Sequence, residues 1–224
     1  MNTAVLDFFM RTVDCEEFNG RRVLEVGSKF VNGSVRPLIE RFCQPKEYIG
    51  VDIEPGRYVD VILPAEKLIE YFGPESFDVV ISTEVMEHVF NWRLIINNIK
   101  SVLKRGGFIY LTTRSRGFAY HAYPHDYWRY ETGDIIAIFR DFKIIELEYD
   151  WEAPGVFLKA KKPINWIPTD LNNIALYSII LGKRTKKLVT LSDAPLARKI
   201  GIILLCSTKL RWSLPGVIIR RHCT

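Results

Sequence analysis

From residue 21 to residue 162 the chain alternates between short, nearly unbroken apolar runs and longer amphipathic ones. "RRVLEVG", "EYIGVDI", "VDVIL", "FDVVIST", "FIYLTT", "FKIIELEY" and "GVFLKAKK" read as strands. "SVRPLIERFC", "AEKLIEYFG", "NWRLIINNIKSVLKRGG" and "TGDIIAIF" read as helices between them, and Val5 to Phe9 begin a short leading helix. In the longest, Asn91 stands at the cap, Ile95, Ile99, Val102 and Leu103 share one face, and Gly106 and Gly107 end it. Strands apolar on both faces must be covered on both faces. The pattern therefore predicts a mainly parallel seven-stranded sheet with helices on either side. The alternation stops near Pro163, which divides the chain into a domain over 1–162 and an extension over 163–224.

In an open parallel sheet, ligands bind beyond the carboxyl ends of the strands, where strand order reverses. The loop in "VLEVGSKFVNGSVRP" follows the first strand, so Gly27 and Ser28 are expected to leave backbone room for a ligand. Asp52 ends the second strand 25 residues after Gly27, where a carboxylate can take both hydroxyls of a ribose. A dinucleotide would need GxGxxG and a triphosphate GxxxxGK[ST]. Neither occurs: Lys29 and Phe30 follow Gly27-Ser28, and the next glycine is Gly33. Glu25 would repel phosphate but suits a cationic amino group. S-adenosylmethionine combines that group with a ribose and has no phosphate.

Four segments in order carry a resemblance: "LEVGSKFVNGS", "GVDI", "FDVVISTEVMEHV" and "LKRGGFIYLTT". Over about residues 20–150 the chain resembles class I S-adenosylmethionine-dependent methyltransferases of the type-11 kind, which implies a Rossmann-like fold. The usual ExGxGxG of the first motif is not kept. The resemblance implies that Glu25 orients the methionine amino group, with Gly27 and Ser28 against the methionine portion. By the same resemblance Asp52 holds the ribose and Ile53 packs on the adenine. Ala65 and Glu66 then meet the adenine edge, and Thr83 supplies a backbone contact.

Two clusters are candidates for the chemistry. In "EVMEH", Glu84, Glu87 and His88 lie at i, i+3 and i+4, so on a helical turn they would converge on one divalent ion. A role in bracing the start of the helix explains them as well and is preferred, so no metal dependence is expected. In "HAYPHDYWRYE", aromatic residues can enclose a planar or sugar-like acceptor, while His125, or failing it His121, takes a proton from a hydroxyl. A purely structural reading of the same stretch pairs Asp126 with Arg129 to brace the loop, together with Trp128.

Net charge is +5, but ten basic residues against Asp193 alone give residues 183–224 a charge of +9 and leave −4 for the rest. The extension reads as short helices, with a start near Asp193 and Pro195. They either lie on a membrane surface or pack on the sheet or a second subunit. No uncharged apolar run approaches the roughly 20 residues of a spanning helix. Cys15, Cys43, Cys206 and Cys223 form no CxxC pair, and no secretory signal is read at the start. Reduced thiols in the cytoplasm, with the protein free or peripheral at the membrane, are the expectation.

The resulting function is methyl transfer to a small or lipid-linked acceptor, at a hydroxyl of a sugar-like or aromatic compound. A nucleic-acid 2′-O-methyltransferase is the alternative suggested by E-x-x-E-H and the basic tail. The −4 charge of the cofactor region opposes it, because backbone binding needs cations near the site. A non-catalytic module that binds S-adenosylmethionine and anchors a partner is the other. Oligomeric state is left open.

Overall fold

The computed structural model describes residues 2–121 and 125–207, with side chains up to residue 202. Helix α1 (Thr3–Thr12) leads into strand β1 (Arg22–Val26), helix α2 (Arg36–Cys43) and strands β2 (Glu47–Asp52) and β3 (Val61–Ile62). Helix α3 (Leu68–Phe72), strand β4 (Phe77–Thr83), helix α4 (Trp92–Val102) and strand β5 (Leu103–Arg114) follow. Next come a short strand β6 (Trp128–Arg129), helix α5 (Thr132–Ile138) and strands β7 (Lys143–Tyr149) and β8 (Gly155–Lys161). Strands β9 (Leu176–Ser178) and β10 (Lys183–Thr185) and helix α6 (Leu196–Ser207) complete the described chain.

Seven strands form one sheet in the order β3-β2-β1-β4-β5-β8-β7. Strands β1 to β5 are parallel, and β8 runs antiparallel between β5 and β7. The reversal follows from chain length. Only a tight turn separates β7 from β8, and Asp150 closes it by accepting from the Glu152 and Ala153 amides. The chain moves outward from β1 through β2 and β3, then returns to place β4 on the other side of β1. That is the expected switch point, and the carboxyl ends of β1, β2 and β4 meet there.

Alternation along β1 decides which helices cover which face. Leu24 and Val26 join Trp92, Ile95, Ile96 and Ile99 of α4 in one core. Val23 faces the other way, among Ala4, Val5, Phe8 and Phe9 of α1 and Val35 and Ile39 at α2. Helix α4 stops at Val102, ahead of the glycines expected to end it. Its last carbonyls are taken by the Glu75 and Ser76 amides, and Leu103 enters the sheet opposite Phe77. Edge pairing outcompeted another helical turn.

Two expectations are corrected. Cys15 and Cys43 are joined in a disulfide, not held as separate thiols. The turn after α1 lies against the last residue of α2, a proximity that a separation of 28 residues conceals. Cys223 lies outside the described residues, as does the side chain of Cys206. The second correction concerns the extension, which is not simply helical. Strands β9 and β10 pair with β6 in a three-stranded sheet, and a helix begins only at Leu196, just after Pro195. Trp212 and Leu214 lie outside the described residues. No helix among the described residues is long and apolar enough to cross a membrane.

The chain past Pro163 is knitted into the domain. Lys100, 1% exposed, donates to Asp141 Oδ1 at 2.6 Å, and Trp166 Nε1 donates to Asp141 Oδ2 at 2.8 Å. Arg93 donates to the Leu171 and Ile174 carbonyls. Leu171, Leu176 and Ile180 enter the main core. Leu176→Ala should therefore destabilise the protein by about 2–5 kcal/mol. Ile167→Ala, at a side chain 80% exposed, should stay within about 0.5 kcal/mol. Urea unfolding of both variants checks this, and equal midpoints would show that residues 163–185 do not share the core.

Candidate functional site

The first loop is tighter than its composition suggests. Gly27 adopts φ +79°, a conformation that favours glycine, and a Cβ there would meet Val85 Cγ2 at 2.1 Å. Val85 thus occupies the space that a side chain at residue 27 would need. Ser28 is turned inward, 2% exposed, with its Oγ beside Gly50. Both amides, Gly27 and Ser28, donate to the Val51 carbonyl. These two residues fasten β1 to β2.

Glu25 lies on the α1–α2 side of the sheet, buried, and accepts from Tyr48 Oη at 2.9 Å. Burial pushes its carboxyl up to about 7, against the opposing effects of the Tyr48 hydrogen bond and Arg36. Asp52 stands at the end of β2, its Oδ2 accepting from the Lys29 amide at 3.1 Å and its Oδ1 from the Glu54 amide at 3.2 Å. Each oxygen keeps a second lone pair. Ile53, 55% exposed, presents an apolar face beside it. Ala65 and Glu66 form a 3-10 turn whose carbonyls accept from Asn98 Nδ2, while the Glu66 side chain is exposed. Thr83 ends β4 opposite Thr112.

Residues 84–88 form a turn instead of a helix, so the i, i+3, i+4 argument fails. Glu84 takes φ +58°, a strained value for a residue with a side chain. It accepts from Thr112 Oγ1 at 2.9 Å and pairs with the buried Arg114. Burial and the neighbouring Glu87 charge raise its carboxyl to about 7 despite Arg114. Glu87 is fully buried, with Oε2 accepting from Thr113 Oγ1 at 3.0 Å. Its other oxygen lies 3.9 Å from His88 Nε2 and 3.8 Å from His121 Nε2. Burial, then the adjacent His121, lower the His88 imidazole to about 4.

The loop that brings His121 there is held by a buried ion pair. Arg129 Nη2 donates to Asp126 Oδ2 at 2.7 Å, Nη1 donates to Oδ1, and the guanidinium also meets the Phe118 and Ala119 carbonyls. Asp126 accepts the His121 amide at 2.8 Å, and His121 Nδ1 lies 3.2 Å from its Oδ2. The Tyr127 and Trp128 amides donate to the Glu87 carbonyl, and Trp128 Nε1 donates to the Val89 carbonyl. The bracing role of Asp126, Trp128 and Arg129 is what the structure shows. His125 is exposed: its carbonyl meets His88 Nδ1 at 2.5 Å, while its ring lies beside Tyr127 and away from Glu87.

The structure therefore gathers Glu87, His88 and His121, separates Glu84 and His125 from them, and adds Val85, Thr112, Thr113 and Arg114. Those four carried no separate sequence signal, because the register of β4 against β5 places them.

A family model described as a methyltransferase domain matches residues 1–146. The chain belongs to the methyltransferase domain family. No curated protein matches it. The fold is similar to an S-adenosylmethionine-dependent methyltransferase of Listeria monocytogenes (TM-score 0.54, 13% identity, 71% of this chain and 98% of that one). It is also similar to the Haloferax volcanii complex of the Trm112 activator and a methyltransferase (TM-score 0.57, 15% identity, 71% and 89%). A third likeness is to the Burkholderia thailandensis 1,6-didemethyltoxoflavin N1-methyltransferase, solved with S-adenosylhomocysteine (TM-score 0.55, 13% identity, 71% and 76%). Family and fold together make this chain a class I methyltransferase with S-adenosylmethionine as cofactor.

The buried Glu25 also makes stability depend on pH. Its folded value near 7 lies above the ordinary 4.5, so between those values the folded state holds a proton that the unfolded state releases. Stability falls as pH rises through that window. Glu25→Gln should flatten the decline and raise the melting temperature at pH 7.5 relative to the native chain. Melting curves from pH 4.5 to 8 check this, and parallel curves for the two proteins would place the Glu25 pKa near its ordinary value.

Proposed function

We propose that this chain transfers the methyl group of S-adenosylmethionine to a hydroxyl of a small or lipid-linked acceptor, sugar-like or aromatic in character. The cluster of Glu87, His88 and His121 at the carboxyl edge of β4 and β5 carries this reading. It offers buried basic atoms beside a partly exposed imidazole, which is what an alcohol needs to lose its proton. Methyl transfer from a sulfonium otherwise asks only for alignment. With no metal bound, His121 is the favoured proton acceptor, because Asp126 faces its Nδ1. His125, at 5.6 Å from Tyr127, is better placed to contact the acceptor ring.

The adenosine end of the cofactor fits the residues present. The second lone pairs of Asp52 would take the ribose hydroxyls, Ile53 would cover one face of the adenine, and Ala65 and Glu66 its edge. Thr83 would supply a backbone contact. At the methionine end, Val85 covers Gly27, and Glu25 would act through the loop. When bound, the cofactor supplies the electrophilic methyl.

Asp52→Ala should remove two charge-assisted hydrogen bonds, each worth roughly 1.5–3 kcal/mol. Calorimetry should show S-adenosylmethionine affinity at least tenfold weaker, with the circular dichroism spectrum unchanged. Undiminished affinity would put the ribose elsewhere. Labelled S-adenosylmethionine offered with hydroxylated and amine acceptors tests the reaction, and transfer to amines alone would overturn oxygen as the target.

A surface role for the tail is supported by the charge separation, +9 over residues 183–224 against −4 elsewhere. Leu196 and Ile200 of α6 are exposed beside those cations. Each Lys or Arg near an anionic membrane contributes roughly 1 kcal/mol. The full chain should sediment with anionic liposomes at low salt and less at high salt. Equal partitioning at both, or none, would leave the tail as a packing or subunit-pairing element.

A further inference from the structure

Glu87 Oε1 is buried without a hydrogen-bond partner, in a residue that is 0% exposed. A carboxylate oxygen stripped of water and left unpaired is costly, so such an atom asks for a ligand. Its neighbours are the Nε2 atoms of His88 and His121, and the three ligand atoms lie within 4.8 Å of one another.

The opposite nitrogen of each ring shows which atoms carry hydrogen. His88 Nδ1 faces the His125 carbonyl, which only accepts, so the ring hydrogen sits on Nδ1 and a lone pair on Nε2. His121 Nδ1 faces the Asp126 carboxylate at 3.2 Å, which favours the same tautomer. Three electron pairs therefore converge with no hydrogen between them. A shared proton does not fill the gap: separations of 3.8 and 3.9 Å exceed the roughly 3.2 Å limit of a hydrogen bond. An ion does. Ligands about 2.0–2.2 Å from a zinc-like ion stand roughly 3–4 Å apart, so small side-chain shifts close the shell.

We propose that Glu87, His88 and His121 bind one divalent transition-metal ion. Two imidazoles and one carboxylate suit zinc, cobalt, iron or manganese and not calcium or magnesium, which prefer all-oxygen shells. The His88 imidazole is steadied from behind by the His125 carbonyl, the usual support for a metal-binding histidine, and the Asp126 carboxylate lies 3.2 Å from His121 Nδ1. Glu84 is not a ligand, because Thr112 and Arg114 hold its carboxylate. The site thus combines two residues of the turn after β4 with one from the loop after β5. Three protein ligands leave coordination positions open on the side of His121, whose side chain is 35% exposed. With the ion in place His121 is a ligand and not a base, and an acceptor oxygen would enter at those open positions. Only this last role rests on the methyl-transfer reading.

The test uses the untagged full chain, stripped with a chelator and titrated with Zn²⁺ and Co²⁺. One equivalent should bind by calorimetry, and Co²⁺ should develop visible absorption bands. His88→Gln and His121→Gln should each weaken binding at least tenfold, and His125→Ala should leave it within twofold. Circular dichroism verifies that each variant is folded, and His121→Gln, at the more exposed ligand, stands if His88→Gln unfolds. Absence of stoichiometric binding, or affinity in both glutamine variants equal to that of the native chain, overturns the site. S-adenosylmethionine binding is measured on the same stripped protein. Retention of it without metal binding would sink the metal site alone, and the converse would sink the methyl-transfer reading alone.

Discussion

Arg129 is a guanidinium with no exposed surface, and a charge so placed must be neutralised and fully hydrogen-bonded. Asp126 does the first. Burial opposes ionisation of Asp126, but the Arg129 hydrogen bonds and then His121 hold its carboxyl below the usual range. The Phe118, Ala119 and Trp128 carbonyls take up the remaining donors. Because those carbonyls come from both sides of the loop after β5, one ion pair sets the path of the chain there. It delivers His121 to Glu87 and starts β6 where β9 can pair with it.

The turn after β4 is the other half of the same construction. Glu84, Glu87 and Asp150 are three acids near Arg114, and the Thr112 and Thr113 hydroxyls donate to Glu84 and Glu87. Burial is the main reason that the Glu84 and Glu87 carboxyls are raised, with the Glu87 charge adding to it at Glu84 and the Asp126 charge at Glu87. A cation bound at Glu87 would oppose that rise. The strained φ of Glu84 fits this picture, since it turns one acid toward Arg114 while Glu87 remains facing the histidines.

The first loop reaches a different compromise. Lys29 and Phe30 stand where smaller residues would leave space, and the loop instead closes on Val51, Asp52 and Val85 through backbone bonds and packing. The adenosine side, around Asp52 and Ile53, stays accessible. The methionine side is shaped by a valine from the turn after β4, so cofactor and acceptor regions share one wall.

Much of this was legible in the residue pattern. Apolar runs mark the strands of the large sheet, most continuously in β1, β4 and β8, because burial on both faces leaves an unbroken signal. The strand-ending acid Asp52 and the missing phosphate-binding glycines restrict the ligand class through chemistry alone. Other features depended on distance in space. Glu84 and Glu87 are equivalent in the sequence, and only the register of β4 on β5 gives one to Arg114 and the other to histidines. His121 and His125 are four residues apart, and the Asp126–Arg129 pair selects the former. Cys15 and Cys43 meet because α2 returns beside the turn after α1. The short strands β9 and β10 exist because β6 offers them an edge. Local propensity cannot report such pairings, since their free energy comes from partners far along the chain.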